Sequence, residues 1–324
     1  MKTGKLGSLA LVVALLGSPS CVAAAEYPAD KPIKMVVGFT AGGAADKLAR
    51  PVADRMAKFL GQTIVMEYRP GVAGGIALEL VARAPADGYT IHLTSQGPMT
   101  FGPSLRKASF DPVNDFTPIG MVSSGGSLIA VLPTSPAKDV KSFIALAKAN
   151  PSQWSYGTSG IGGSGHLAAE QFKIETGLQI SHVPYKGGAG ALTDLLGGHI
   201  PVLFSSIGSI ATNVEAGQVK ALAVSSITRS SMFPDVPTIA ESGFPGYDMD
   251  TWIAMFVPRQ TPDAVVDILY KATIEAVKAP DVQERIKSQA GIVRTGTPAE
   301  LDALVKTEIV QFTKIVKDSN IKPE

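Results

Sequence analysis

The sequence predicts an α/β fold made of two doubly wound domains. Strand-like apolar runs alternate with helix-length amphipathic segments almost throughout. A short strand also runs into a glycine-rich turn and then a helix twice, at Met35-Val36-Val37-Gly38-Phe39-Thr40-Ala41-Gly42-Gly43-Ala44-Ala45-Asp46 and at Trp154-Ser155-Tyr156-Gly157-Thr158-Ser159-Gly160-Ile161-Gly162-Gly163-Ser164. The length of 324 residues suits two cores better than one. Glycine in such turns lets a ligand approach the backbone, and the free N–H groups and positive dipole end of the following helix favour a negative group. Two cradles that face one another would clamp a small anion.

Residues 1–25 read as a secretory leader. Lys2 and Lys5 precede an apolar run over 9–16, and small residues close it at Val22-Ala23-Ala24-Ala25, with cleavage expected after Ala25. The run is far shorter than the ~20 residues that cross a bilayer. The chain is therefore expected to be exported. Cys21, the only cysteine, raises a lipoprotein alternative, but Ser18 stands where such leaders carry an aliphatic residue. A mature chain without a thiol needs no disulfide at this size, because chains near 300 residues bury about three quarters of their unfolded surface.

The first series opens with a buried strand over 33–38. A helix over 43–60 follows, with Leu48, Val52, Met56 and Phe59 at helical spacing. A strand over 63–67 and a helix over 75–83 lead through Pro85-Ala86-Asp87-Gly88 into a strand over 89–94. Strands over 116–122 and 127–132 mark a changeover. The second series then reads as helix 140–149, strand 154–157, helix 164–176, strand 180–183, helix 189–196, strand 200–204, helix 207–216 and strand 219–224. A strand over 252–257 and two long helices, 262–279 and 298–318, close the chain. The expected domains are 26–124 with 250–324, and 125–249. Two crossings form a hinge about which such domains rotate as rigid bodies, the closure of periplasmic binding proteins.

Composition and spacing exclude several chemistries. Lys and Arg number 29 against 28 Asp and Glu, without a basic stripe, so no nucleic-acid partner is expected. The turn from Gly38 to Gly43 does not read G-x-G-x-x-G, and no Gly-Lys-Ser or Gly-Lys-Thr follows either loop. Gly162-Gly163-Ser164-Gly165-His166 lacks the last glycine of a hydrolase elbow. The four histidines show no i,i+4 pair, so neither a metal nor a cofactor is expected. The chain reads as a binding protein and not an enzyme.

In the first cradle, N–H groups from Ala41 to Ala44 would hold a ligand oxygen, while Asp46 complements the helix dipole. In the second, Thr158 and Ser159 add hydroxyl donors, Ser164 would cap the helix, and His166 would support the loop from within it. Tyr185 and Lys186 are placed to face a cleft. Phe39 and Trp252 would add apolar contact.

The chain also resembles the substrate-binding components of tripartite tricarboxylate transporters, the Bug family of exported proteins, from about Tyr27 to its end. The specific strings are Pro32-Ile33-Lys34 through Gly42-Gly43-Ala44-Ala45-Asp46, Glu67-Tyr68-Arg69-Pro70-Gly71, Ala86-Asp87-Gly88-Tyr89, Tyr156-Gly157-Thr158-Ser159-Gly160 on to His166-Leu167-Ala168, His182-Val183-Pro184-Tyr185-Lys186-Gly187, Ala221-Leu222-Ala223-Val224 and Pro234-Asp235-Val236-Pro237-Thr238. The resemblance implies a two-domain, Venus-flytrap fold that captures a small organic carboxylate in the periplasm and delivers it, as a monomer, to membrane permease subunits. A signalling receptor is the alternative recipient. Carried over by position, the binding residues are Phe39, Thr40, Ala41, Gly42 and Gly43 in one domain and Thr158, Ser159, Gly160 and Gly163 in the other. Ser95 and Gln96 would line the cleft on the first side, and Ser205 and Ser206 on the second. The family often carries Asp where Ser205 stands, and its loss would suit a ligand without an amino group.

Overall fold

The buried run Ile33–Val37 forms the first strand, β1, one strand in from the edge of a six-stranded sheet. The computed structural model describes residues 27–318, apart from Asp30, Gly43, Arg106, Lys186 and Ala290. The expected leader, with Cys21, lies outside the described residues. After β1 come α1 (Ala44–Leu60), β2 (Ile64–Tyr68), α2 (Gly75–Ala82) and β3 (Thr90–Ser95). A π-helical turn, Gly97–Phe101, runs on into the short α3 (Gly102–Leu105) and leads to β4 (Phe116–Gly125). The second series holds β5 (Ser127–Val131), α4 (Val140–Ala149), β6 (Ser155–Thr158), α5 (Ser164–Thr176), β7 (Ser181–Pro184), α6 (Gly188–Leu196), β8 (Val202–Ser206), α7 (Ile207–Glu215) and β9 (Lys220–Val224). The chain ends with β10 (Thr251–Pro258), α8 (Asp263–Lys278), α9 (Pro280–Ser288), β11 (Ile292–Val293) and α10 (Pro298–Asp318).

The first sheet has the order β11-β4-β10-β3-β1-β2 and the second β7-β6-β8-β5-β9. In each, a parallel trio adjoins antiparallel strands: β1 is parallel to β2 and β3, and β6 to β7 and β8. The antiparallel β4, β5, β9 and β10 are the strands through which the chain changes sheets. Only Gly126 separates β4 from β5. The return crossing lies directly alongside, since Ser127 and Ser225 exchange hydrogen bonds at 2.8 Å and Thr251 Oγ1 donates to Gly125 O at 2.6 Å. A Cβ on Gly126 would lie 2.8 Å from Ser226 Oγ, so the two crossings are tightly apposed.

Apolar cores cover both faces of each sheet, as two doubly wound layers require. The helix α10 belongs to both lobes. Its Leu301 and Val305 pack beneath the first sheet with Trp252 and Phe256, whereas Phe312 and Ile315 join Phe101 in the core of the second. Four elements were not expected from the sequence. The stretch over 97–105, to which the sequence assigns no element, winds into the π-helical turn and α3. A separate α9 starts at Pro280, where a proline is pre-organised for a first helical turn. The two-residue β11 has no periodicity to detect.

Candidate ligand-binding site

A cavity of about 630 Å³ lies between the lobes, in the size range of small-molecule sites. The first lobe contributes Phe39, the segment from Ser95 to Leu105, and Thr251 to Ile253; the second contributes Ser159 to Ser164 and Leu167. A smaller cavity of about 250 Å³ adjoins it at Thr251 and Ile253 and is bordered by Ser123, Ser124, Ser206 and Ser209. The lobes meet closely along this cleft. A Cβ on Gly97 would stand 2.9 Å from Gly162 O, so only a bare backbone fits at that crossing.

The second glycine loop forms one wall of the larger cavity. Gly160 and Gly162 hold φ of 130° and 83°, the left-handed region that favours glycine. Within the loop the Gly160 N–H donates to Thr158 Oγ1, the Gly162 N–H to His166 Nδ1 and the Gly163 N–H to Gly160 O. The N-cap of α5 is Gly163, not the expected Ser164, and no side chain caps it. The N–H groups of Ser164, Gly165 and His166 therefore stand at an uncapped helix start, and Ser164 borders the cavity.

A buried polar network stiffens this loop from behind. His166 accepts from the loop at Nδ1 and turns Nε2 toward Glu170, 4.0 Å away. Glu170 also accepts from Tyr156 Oη and from Lys173 Nζ. The His182 ring stacks on His166 with centroids 4.3 Å apart and pairs with Thr158 Oγ1 at 2.7 Å. Burial pushes His166 down to about 4 and His182 to about 3, so both rings are neutral. His166 thus supports the loop from within its helix.

The first glycine turn is arranged differently. Asp46 is buried, and its Oδ2 accepts from the Gly42 N–H at 2.6 Å and from Arg50 Nε at 3.0 Å, while Oδ1 accepts from Tyr68 Oη at 2.5 Å. Burial opposes ionisation of Asp46, but the bonds from Tyr68, Gly42 and Arg50 prevail and hold it below the usual carboxylate range. The chain supplies its own anion at this helix start.

Of the residues expected to bind ligand, Phe39, Ser95, Gln96, Ser159, Gly160 and Gly163 border the larger cavity, and Ser206 borders the smaller. Thr40, Ala41 and Gly42 are exposed and border neither, and Gly43 lies outside the described residues. Thr158 is fully buried, so its expected role as a hydroxyl donor to ligand gives way to holding His182 and the loop. Tyr185 turns its hydroxyl to Asp194 Oδ2 at 2.6 Å and borders neither cavity, and Ser205 is buried behind the cleft. Sequence reasoning missed Phe101, Leu105 and Leu167, which line the cavity because the lobes approach there. It also missed Glu308, which accepts from Gln96 and Trp252 behind the wall. A signal was available: Leu301, Val305, Glu308, Phe312 and Ile315 follow helical spacing, and one charge interrupts the buried stripe.

A family profile described as "Tripartite tricarboxylate transporter family receptor" matches residues 48–321. Protein BugT of Bordetella pertussis is 31% identical over 322 residues, spanning 99% of this chain and 98% of that protein. Among solved structures, the periplasmic binding protein BugD superposes with a TM-score of 0.74 at 34% identity, covering 91% of this chain and 99% of its own. An R. palustris protein solved with adipate superposes with a TM-score of 0.78 at 33% identity, covering 92% and 100%. The family and these neighbours are solute-binding proteins of two-domain fold, not enzymes.

Proposed function

Because this chain belongs to the tripartite tricarboxylate transporter receptor family, whose binding proteins are periplasmic, we propose that it captures a small organic carboxylate in the interlobe cavity and hands it to permease subunits. One observation carries the reading: the uncapped start of α5 opens on a cavity walled by both lobes. A carboxylate there would meet N–H donors at the positive end of a helix dipole, which favours an anion. Phe39, Trp252 and Leu167 supply the apolar contact for the carbon skeleton.

The domains of the proposal are 26–124 with 250–324, and 125–249, turning about the paired crossings at Gly126 and Ser225. Ligand bound to both lobes draws the open–closed population toward the closed form, which a permease distinguishes by shape. Micromolar capture corresponds to about −8 kcal/mol, within reach of a few charge-assisted hydrogen bonds plus apolar burial. Among the described residues, none that borders the larger cavity is acidic, which suits a ligand without an amino group.

A thermal-shift screen of mono- and dicarboxylic acids tests this reading. A cognate acid at a hundred times its Kd adds about 2.7 kcal/mol to folding stability, and the shift grows with ligand concentration. Adipate and related plain acids are expected to shift the melting temperature, and acidic amino acids are not. No shift with any carboxylic acid overturns the proposal.

A further inference from the structure

Glu308 is 5% exposed on the buried face of α10, and three side chains converge on its carboxyl. Oε1 accepts from Gln96 Nε2 at 2.7 Å and from Trp252 Nε1 at 2.9 Å; Oε2 accepts from Thr100 Oγ1 at 2.9 Å. Gln96 and Trp252 both line the ligand cavity. Thr100 is fully buried, and its hydroxyl also lies 3.0 Å from Gln96 O. From these contacts we infer that Glu308 is a titrating positioning residue, which holds Gln96 and Trp252 in both of its protonation states and sets how anion affinity changes with pH. This inference rests on the proposed carboxylate-binding function.

The geometry serves both states without moving a heavy atom. When Glu308 is ionised, the Thr100 hydroxyl donates to Oε2. When Glu308 is protonated, its Oε2–H donates to Thr100 Oγ1, and the Thr100 hydrogen turns to Gln96 O. Oε1 keeps both of its donors throughout. Neither state leaves a buried polar atom of Glu308 without a partner, so the proton exchanges within an intact wall.

The surroundings place the titration in an accessible range. Burial pushes Glu308 up to about 7, against the opposing pull of the bonds from Gln96, Trp252 and Thr100. Asp250, just before β10, pushes in the same direction, and Arg294 lies 3.4 Å from Asp250. Of the other elements packed against α10, β4, α3 and the π-helical turn carry no titratable side chain. The helix α5 carries neutral His166, Glu175 and the paired Glu170 and Lys173. Above its midpoint Glu308 adds a negative charge behind the wall that faces a bound carboxylate, and below it that charge is gone. Anion affinity therefore weakens as pH rises through the midpoint.

Trp252 reports on Glu308 directly, and Trp154 is the only other tryptophan. In a Trp154→Phe background, emission from Trp252 is expected to titrate with a midpoint near 7, and the step is expected to vanish in Trp154→Phe/Glu308→Gln. Glutamine reproduces the protonated state, with its amide nitrogen donating to Thr100. Adipate affinity of the parent is expected to weaken by about threefold to thirtyfold between pH 6 and 8.5, the span between aqueous and protein-like screening at separations on the order of 8 Å. Glu308→Gln is expected to keep the tighter, low-pH affinity across that range; adipate's own titration is common to both proteins. Emission that does not titrate, or that titrates equally in both backgrounds, overturns the inference whether or not adipate binds. Parallel pH profiles for adipate in parent and variant overturn it as well. A Glu308-dependent emission step with no binding by any carboxylic acid sinks the proposed function, and with it the assigned influence on affinity, while leaving Glu308 as a titrating anchor of Gln96 and Trp252.

Discussion

Thr158 shows how a residue at a glycine loop is decided by the partner it finds. Its hydroxyl is 2.7 Å from His182 Nε2 and 3.2 Å from both the carbonyl oxygen and the amide nitrogen of Gly160. None of these atoms belongs to a ligand. Valine at 158 keeps the volume and removes the hydroxyl, leaving the half-buried His182 Nε2 and the Gly160 N–H without that partner. Thr158→Val should therefore cost about 1–3 kcal/mol of folding stability in a denaturant titration, the penalty for an orphaned buried polar group. Unchanged stability together with weaker carboxylate binding would show instead that the hydroxyl faces the ligand. Asp46 makes the same point with opposite charge, because its carboxylate already satisfies the Gly42 N–H that an external anion would have sought.

At the scale of elements, α5 lies so close to β8 that a Cβ on Gly165 would stand 2.1 Å from Phe204 O and 2.6 Å from its carbonyl carbon. Those are backbone atoms of a central strand and have no side chain to swing aside. Gly165→Ala should cost about 1–3 kcal/mol or more, as overpacking does. Carboxylate affinity should fall with it, because displacing α5 also displaces the loop that starts it; a variant as stable as the parent would refute the close approach. The strands and most helices of both lobes were legible in the sequence because their apolar spacing is local. Phe39, Ser95, Gln96, Ser159, Gly160 and Gly163, which the family resemblance implies by position, border the cavity because they lie beyond strand ends, where α/β sheets present their clefts. The insertion of β10 between β3 and β4 is a long-range pairing that no local period encodes. Nor does spacing reveal Leu105 or Leu167, which meet across the cavity only because the lobes close on one another. The segment from Gly97 to Leu105, to which local spacing assigns no element, is held helical by the tertiary packing of Met99 and Phe101.

For the whole molecule, α10 joins what the two crossings leave separable. Leu301 and Val305 sit in a core beneath the first sheet, and Phe312 and Ile315 in a core of the second. Phe101, carried by the π-helical turn, meets Phe312 edge to face at 5.7 Å and His166 at 6.0 Å, so the bridge also touches the residue that supports the second glycine loop. One rigid helix with a foot in each core couples their unfolding, because neither core can melt without stripping apolar contacts from the other. The parent should unfold in one calorimetric transition, with van't Hoff and calorimetric enthalpies nearly equal. Phe312→Ala removes a ring that is 1% exposed and should cost about 3–5 kcal/mol. The larger consequence is for cooperativity: with that foot loosened the lobes should melt apart, the enthalpy ratio should fall, and a carboxylate that bridges both walls should restore a single transition by binding only the assembled pair. A variant that melts earlier but keeps its enthalpy ratio would mean that the crossings alone couple the lobes, and that α10 rides on the second core without binding the two together.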